Sequence, residues 1–266
     1  MTAAGPACPV YVVGEGTTDI GDLAHHSTYR DGRDGFVQPI LRKLCAGRVT
    51  VEFDGSKVNL LGRFKERGRL PGHADRAAKA LAIASELGCR ALVFVKDLDK
   101  SGGRAADKTE RRRLLKEVSA EVEAGFLKAR QSDPAAAGVA CIKAIPVRMI
   151  EAWVLGDPEA VRAAVGSSGV VPSAPEALWG DERDPNSQHP KRVLERLLGR
   201  APDAALFANI AQAASVDQLA RSCPESFAPF ADEVRAAIDA CVPTEDGTKA
   251  RREGTSARGK KRKLKR

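Results

Sequence analysis

Ala-Leu-Val-Phe-Val-Lys-Asp-Leu-Asp, residues 91 to 99, is an apolar, β-branched run that stops abruptly in two carboxylates. The run predicts a buried strand. Asp97 and Asp99, two residues apart at its end, point to the same side. Two like charges held close need a cation, or one of them must take a proton. A second stretch repeats the pattern nearer the N-terminus: Val-Tyr-Val-Val-Gly-Glu-Gly, residues 10 to 16. It too reads as a buried strand, and it ends in Glu15 between two glycines that let the backbone turn sharply. In open α/β sheets, ligands bind outside the carboxyl ends of parallel strands. If the two strands are neighbours, Glu15, Asp97 and Asp99 converge on one crevice. An all-oxygen set of this kind, with room for water and phosphate, suits Mg²⁺.

Working outward, the rest of the first 150 residues alternates between strand and helix. Gly14 to Gly35, rich in Gly, Asp and His, reads as a long loop. Phe36 to Ala46 has helical spacing, Val49 to Phe53 alternates as a strand does, and Gly62 to Gly72 is a basic loop. Ala74 to Leu87 reads as a helix stopped by Gly88. Thr109 is placed to cap a long charged helix that runs to about Gln131. Val139 to Ile145 reads as a strand closed by Pro146, and Met149 to Leu155 as a helix carrying Glu151 and Trp153. The alternation predicts a βαβ-type parallel sheet flanked by helices, an α/β fold. Later, Val193, Leu194, Leu197 and Leu198 mark one helix, and Phe227 to Cys241 another. The expected organisation is residues 1–157 as the sheet domain, 158–242 as a helical extension packed on it, and 243–266 as a disordered basic tail.

Composition narrows the class. The chain has 266 residues, 43% hydrophobic and 29% charged, ordinary for a globular protein. No apolar run approaches the roughly 20 residues of a membrane span, and Met1 to Pro9 lacks the charge and apolar core of a signal peptide. Six scattered cysteines without a C-x-x-C pair predict reduced thiols and no structural zinc. These features predict a cytoplasmic protein. The net charge of +8 is uneven. Lys249 to Arg266 holds ten Lys or Arg and one acid, a local +9, which leaves −1 for the other 248 residues. The first motif does not complete G-x-G-x-x-G, because Asp19 stands where the third glycine belongs, and no P-loop sequence is present.

The pairing of Glu15 after a first strand with an Asp-x-Asp after a later one resembles the Toprim family, the catalytic fold of topoisomerases, bacterial primases and overcoming-lysogenization-defect nucleases. The likeness spans about Val10 to Leu155. It is closest to an uncharacterised branch of Toprim-like proteins encoded beside ATPases in defence-type gene sets. That branch is similar again at Ile-Pro-Val-Arg-Met-Ile-Glu-Ala-Trp-Val-Leu-Gly-Asp, residues 145 to 157, at Pro190-Lys191, and around Ser226 to Phe230. Asp19 departs from the branch, where Glu is frequent, and the loop to residue 35 is unusually long. The resemblance implies that Glu15, Asp97 and Asp99 hold Mg²⁺ or Mn²⁺, and that an AAA- or ABC-type ATPase is a partner.

The expected activity is metal-dependent phosphodiester hydrolysis of nucleic acid, that of a nuclease in phage defence or DNA processing. Glu15, Asp97, Asp99 and Glu151 form the catalytic and metal set. Glu151 opens a helix, so it is read either as a further ligand or base, or as a surface carboxylate that complements the helix dipole. Arg104, Lys108, Arg111 and Arg112 are candidates to grip phosphates; the alternative is a solvated helix face. Lys96, on a strand, is expected to point away from Asp97. His25 and His26 read as exposed loop residues, and His73 and His189 carry no assignment. Tyr11 lies inside the strand, so strand passage through a tyrosine nucleophile is not expected. A second reading is a non-catalytic binding or regulatory module of an ATPase complex.

The tail contains only Ala250, Ala257 and Leu264 as apolar residues, so it reads as a solubilising end or as an electrostatic arm. If it is an arm, deleting 249–266 flattens the salt dependence of duplex-DNA binding, by a log–log slope of about 0.9 for each phosphate it neutralised. Titrations of the two proteins at several salt concentrations check this.

Overall fold

The computed structural model describes residues 6–25, 34–62, 70, 72–98, 107–166 and 169–241. Four strands form one sheet: β1 (Ala7–Gly14), β2 (Thr50–Lys57), β3 (Ala91–Val95) and β4 (Ala140–Ala144). All pairs are parallel and the order is β2-β1-β3-β4. Chain order therefore reverses between β1 and β3. The next strand after β1 lies on one side of it and the one after that on the other. Such a switch point opens a crevice at the carboxyl ends of the two strands. The expected α/β fold with a helix-flanked parallel sheet is present.

Alternation along the strands divides the core in two. Cys8, Val10 and Val12 of β1, Ala91, Val93 and Val95 of β3, and Ile142 and Ala144 of β4 face one layer. Tyr11 and Val13, with Leu92 and Phe94, face the other. Both faces are apolar, which is why these strands read as continuous hydrophobic runs. Between β1 and β2 lie the short α1 (Thr17–Ile20) and α2 (Val37–Cys45); between β2 and β3 lies α3 (Gly72–Glu86). The long α4 (Lys108–Ser132) connects β3 to β4. Helices α3 and α4 cover the second face through Ala77, Ala78, Leu81, Val118, Val122 and Phe126.

After β4 the chain is helical: α5 (Ile150–Val154), α6 (Pro158–Val165), α7 (Pro190–Leu198), α8 (Ala204–Ala213), α9 (Val216–Ser222) and α10 (Phe227–Cys241). Together with α2 they bury the first face, with Trp153, Phe207, Phe227 and Phe230 in the same apolar cluster as Val12 and Val93. No helix among the described residues is long and apolar enough to cross a membrane. Cys89, Cys141 and Cys223 are thiols outside any disulfide.

Several local expectations are corrected. Residues 14–35 are not one loop where they are described: α1 and a 3₁₀ turn at Gly21–His25 fold back on the sheet. Ile20 and Leu23 supply the cause, since both are fully buried. The fold-back is locked by Phe36 N–H donating to Thr18 O at 2.9 Å and Gln38 Nε2 to Ile20 O at 2.7 Å. The cap of α4 is Asp107, whose carboxylate accepts from Thr109 N at 2.8 Å; Thr109 is the donor rather than the cap. Strand β2 extends four residues beyond Phe53, and α8 and α9 add two helices that sequence periodicity did not separate.

Helices α3 and α4 touch through a glycine. A Cβ on Gly125 of α4 would lie 2.2 Å from Ala74 O and 2.9 Å from Ala77 Cβ. Gly125→Ala therefore drives the helices apart, although alanine favours the helix itself by about 1 kcal/mol. We expect a net loss of about 1–3 kcal/mol, read as a lower thermal midpoint.

Candidate functional site

The crevice at the switch point is built first by the turn after β1. A Cβ on Gly14 would meet Ile20 Cγ2 at 2.7 Å, so the strand can turn tightly into α1 only with glycine there. Asp19, 3% exposed, then closes the turn. Its Oδ2 accepts from the backbone N–H of Glu15 and of Gly16, each at 3.0 Å, and Thr18 Oγ1 donates to its Oδ1 at 3.2 Å. With its backbone held this way, Glu15 extends its side chain across to β3.

The β1–β3 register matches Val13 with Phe94, and continuing it past both strand ends sets Glu15 opposite Lys96. Lys96 Nζ donates to Glu15 Oε1 at 2.5 Å and to Asp97 O at 2.9 Å, with both side chains largely buried. Lys96 was expected to point away from Asp97; its ammonium instead bonds the Asp97 main-chain oxygen and the Glu15 carboxylate. Past Val95 the chain is no longer a regular strand, and the long side chain reaches back to the facing carboxylate. Asp97, 8% exposed, accepts from Ile150 N at 3.2 Å through Oδ1. That bond ties the end of β3 to the start of α5, which carries Glu151.

Glu151 is also only 8% exposed, so it is not the surface carboxylate of the dipole reading. Burial, and then the charge of Asp19, push its pKa from the ordinary 4.5 to about 7, against opposition from its own backbone N–H and from Lys191. Burial raises Asp19 to about 6, with Glu15 adding to the shift. Asp97 is held well above the usual carboxylate range by burial and by the charges of Asp19, Glu151 and Glu15, while Lys96 opposes them. Four carboxylates thus share one electrostatic neighbourhood. His73, at the start of α3, belongs to it as well: burial and the Lys96 charge lower its pKa.

The turn that presents Glu151 is anchored from behind. Ser226 Oγ accepts from Trp153 Nε1 at 2.7 Å and from Val147 N at 3.3 Å, and donates to Glu176 Oε1 at 2.5 Å. Glu176 also accepts from the backbone N–H of Glu225 and Ser226. Trp153 stacks on Phe230, with ring centroids 5.1 Å apart, and meets Phe227 edge-on at 5.2 Å. Arg148, in the same turn, is the non-glycine residue with positive φ among those described, at 66°. Its buried guanidinium lies over the Trp179 ring, 4.2 Å from the centroid. A left-handed backbone costs a non-glycine residue roughly 1–3 kcal/mol and persists where the surroundings over-determine it.

Of the residues singled out in the sequence, Glu15, Asp97 and Glu151 meet here. Asp99 and Arg104 lie outside the described residues, as do His26 and the 249–266 tail. Lys108 and Arg112 are exposed at the start of α4, while Arg111 is buried and paired with Glu225 at 3.5 Å. Asp19, Lys96, His73 and Lys191 were not foreseen as members of the site. Asp19 had a signal, standing four residues beyond Glu15, one helical turn on; Lys96 had one in its register with Glu15. His73 had none.

The donor chemistry fits a hard divalent cation, since the carboxylates are all-oxygen donors and the two nearby ammonium groups, of Lys96 and Lys191, do not neutralise all four. Among the described residues, however, no three stand close enough together to form a finished ligand set. Glu15 is drawn to Lys96, Asp97 to Ile150 N, and Asp19 to its own turn.

The raised carboxylates give a pH dependence of definite sign. Between the ordinary values and about 7 the folded protein keeps protons that the unfolded chain has released. The part of the stability that Glu151 and Asp19 control, without divalent cations, is therefore unpenalised below about pH 4 and falls as pH rises, that loss being complete above about pH 7. Glu151→Gln removes part of that penalty. It should raise the thermal midpoint in chelator at pH 8 and leave it nearly unchanged at pH 4. No protein-family model, curated protein or solved structure matches the chain.

Proposed function

We propose that the protein is a Mg²⁺- or Mn²⁺-dependent phosphodiester hydrolase acting on nucleic acid, a Toprim-like nuclease working with an ATPase partner in a defence or DNA-processing system. The observation that carries this reading is the convergence of Asp19, Asp97 and Glu151, all buried, with the half-buried Glu15, at the switch point between β1 and β3, where the charges of the other three raise the pKa of Asp97. Glu15 and Asp97 would hold the ion, joined by Asp99, with Glu151 beside them as the base. The bound ion would polarise the scissile phosphate and make a bound water more acidic.

The chain's own groups supply the remaining steps. Glu151, with its pKa near neutral, accepts the proton of the attacking water. The water oxygen bonds to phosphorus, the P–O ester bond breaks on the opposite side, and the leaving oxygen takes a proton from solvent to become the hydroxyl end of the cleaved strand. Lys96 and Lys191 offset the negative charge that develops. The turn braced by Ser226 and Arg148 keeps Glu151 at a fixed distance from Asp97, as oriented catalysis requires.

The test is cleavage of end-labelled single- and double-stranded DNA and RNA by the full chain in Mg²⁺ or Mn²⁺. Asp97→Asn, which keeps an acceptor for Ile150 N, should abolish cleavage while the fold persists by circular dichroism. Glu151→Gln should slow it by about 10²–10⁴-fold. Undiminished cleavage by either variant would overturn the assignment of that residue. The Lys96–Glu15 pair favours a second reading, a non-catalytic module, because an ammonium already occupies one carboxylate. In that case the wild-type protein binds its partner or nucleic acid and cleaves nothing.

A further inference from the structure

Helix α7 and the turn that leads into it form a second charged feature beside the crevice. Arg192 and Arg196 lie on α7, and Arg200 follows just past its left-handed cap at Gly199. The three are spaced four residues apart, about 6 Å per step along a helix. They line one open groove with Pro185, Gly199 and Ala201, and Glu195 is its lone acid. The guanidinium groups are held in place. Arg192 Nε donates to Glu182 O, and Arg196 Nη1 donates to Pro185 O at 2.6 Å. Arg192 also pairs with Glu195, and Arg200 with Asp203. These contacts use at most two of the five N–H groups of each guanidinium.

The N-terminal end of α7 lies near the carboxylates. Lys191 Nζ donates to Glu182 Oε1 at 2.7 Å, and the charges of Lys191 and Glu182 both act on Glu151. Trp179 stands at the same end. A Cβ on Gly180 would lie 2.8 Å from His189 N, so this segment abuts the start of α7. One face of the Trp179 ring is covered by Arg148, three residues before Glu151, and the side chain is 37% exposed. An aromatic ring leading into a row of pre-oriented cations is the combination that binds single strands, bases stacking on the ring and phosphates following the charges.

We infer that α7 is a phosphate track that guides a nucleic-acid strand to the Glu151 crevice, with Trp179 as a stacking platform for one of its bases. The inference rests on nucleic acid being the substrate, as proposed above. It places the strand on Arg192, Arg196, Arg200 and Trp179 rather than on Lys108 and Arg112 at the start of α4.

The probe is labelled oligothymidylate, titrated into the full chain without divalent cations at several salt concentrations. Trp153 is fully buried, so a base stacking on Trp179 quenches the accessible part of the tryptophan emission. Trp179→Phe should abolish that quench. The triple variant R192A/R196A/R200A should bind about tenfold more weakly at low salt, with a log–log salt slope shallower by about 2, since each single-strand phosphate contributes about 0.7. Unchanged affinity and slope in the triple variant, or an undiminished quench in Trp179→Phe, overturns the track. A wild type that binds no nucleic acid overturns both the track and the nuclease reading. A wild type that binds and cleaves, with the α7 variant equal to it in affinity and slope, overturns the track alone.

Discussion

The structure turns on the register of β1 against β3. The two strands are distant in sequence yet pair in parallel with a constant offset, and that offset carries on past their ends to set Glu15 opposite Lys96. A slip of one residue would send the Glu15 side chain to the other face of the sheet. The same register places Asp97 where Ile150 N can reach it, so the start of α5, and with it Glu151, is positioned through β3. The opposite faces of the sheet bury different side chains of these strands, and both layers resist such a slip.

Burial makes the crevice electrostatically expensive. Carboxylates removed from water favour their neutral form, and each charge nearby reinforces that preference. The fold meets part of the cost locally. Asp19 takes two backbone donors, Asp97 one, and Glu15 an ammonium. What is left appears as pKa values near neutrality for Glu151 and Asp19. Groups in that range exchange protons readily at physiological pH, a property that a purely structural cluster does not need.

Much of this was legible in the sequence because it depends on local pattern. The apolar runs ending in Glu15 and Asp97 gave the strands and their chemical ends. What escaped depends on distance in the chain. Lys96 joins the site only because β3 lies beside β1. His73 and Lys191 arrive on helices whose packing no periodicity encodes. The fold-back of α1 was hidden because its two apolar anchors, Ile20 and Leu23, are set among Gly, Asp and Thr. The Toprim likeness pointed to Ile145–Asp157 and Ser226–Phe230 as separate patches; in three dimensions Trp153, Ser226, Phe227 and Phe230 are one cluster.

The Ser226 hydroxyl bears on how the chain can be divided. One oxygen joins Val147 before α5, Trp153 within it, and Glu176 far beyond it. The apolar layer it sits in continues without a break from Val12 and Val93 to Ile238. A fragment ending at residue 157 would carry every carboxylate of the crevice, yet it would strip the C-terminal helices from one face of the sheet and leave the Glu151 turn without its anchor. The catalytic-looking half is therefore not a portable cassette. Its chemistry can be transplanted or inherited only together with the helices at its back.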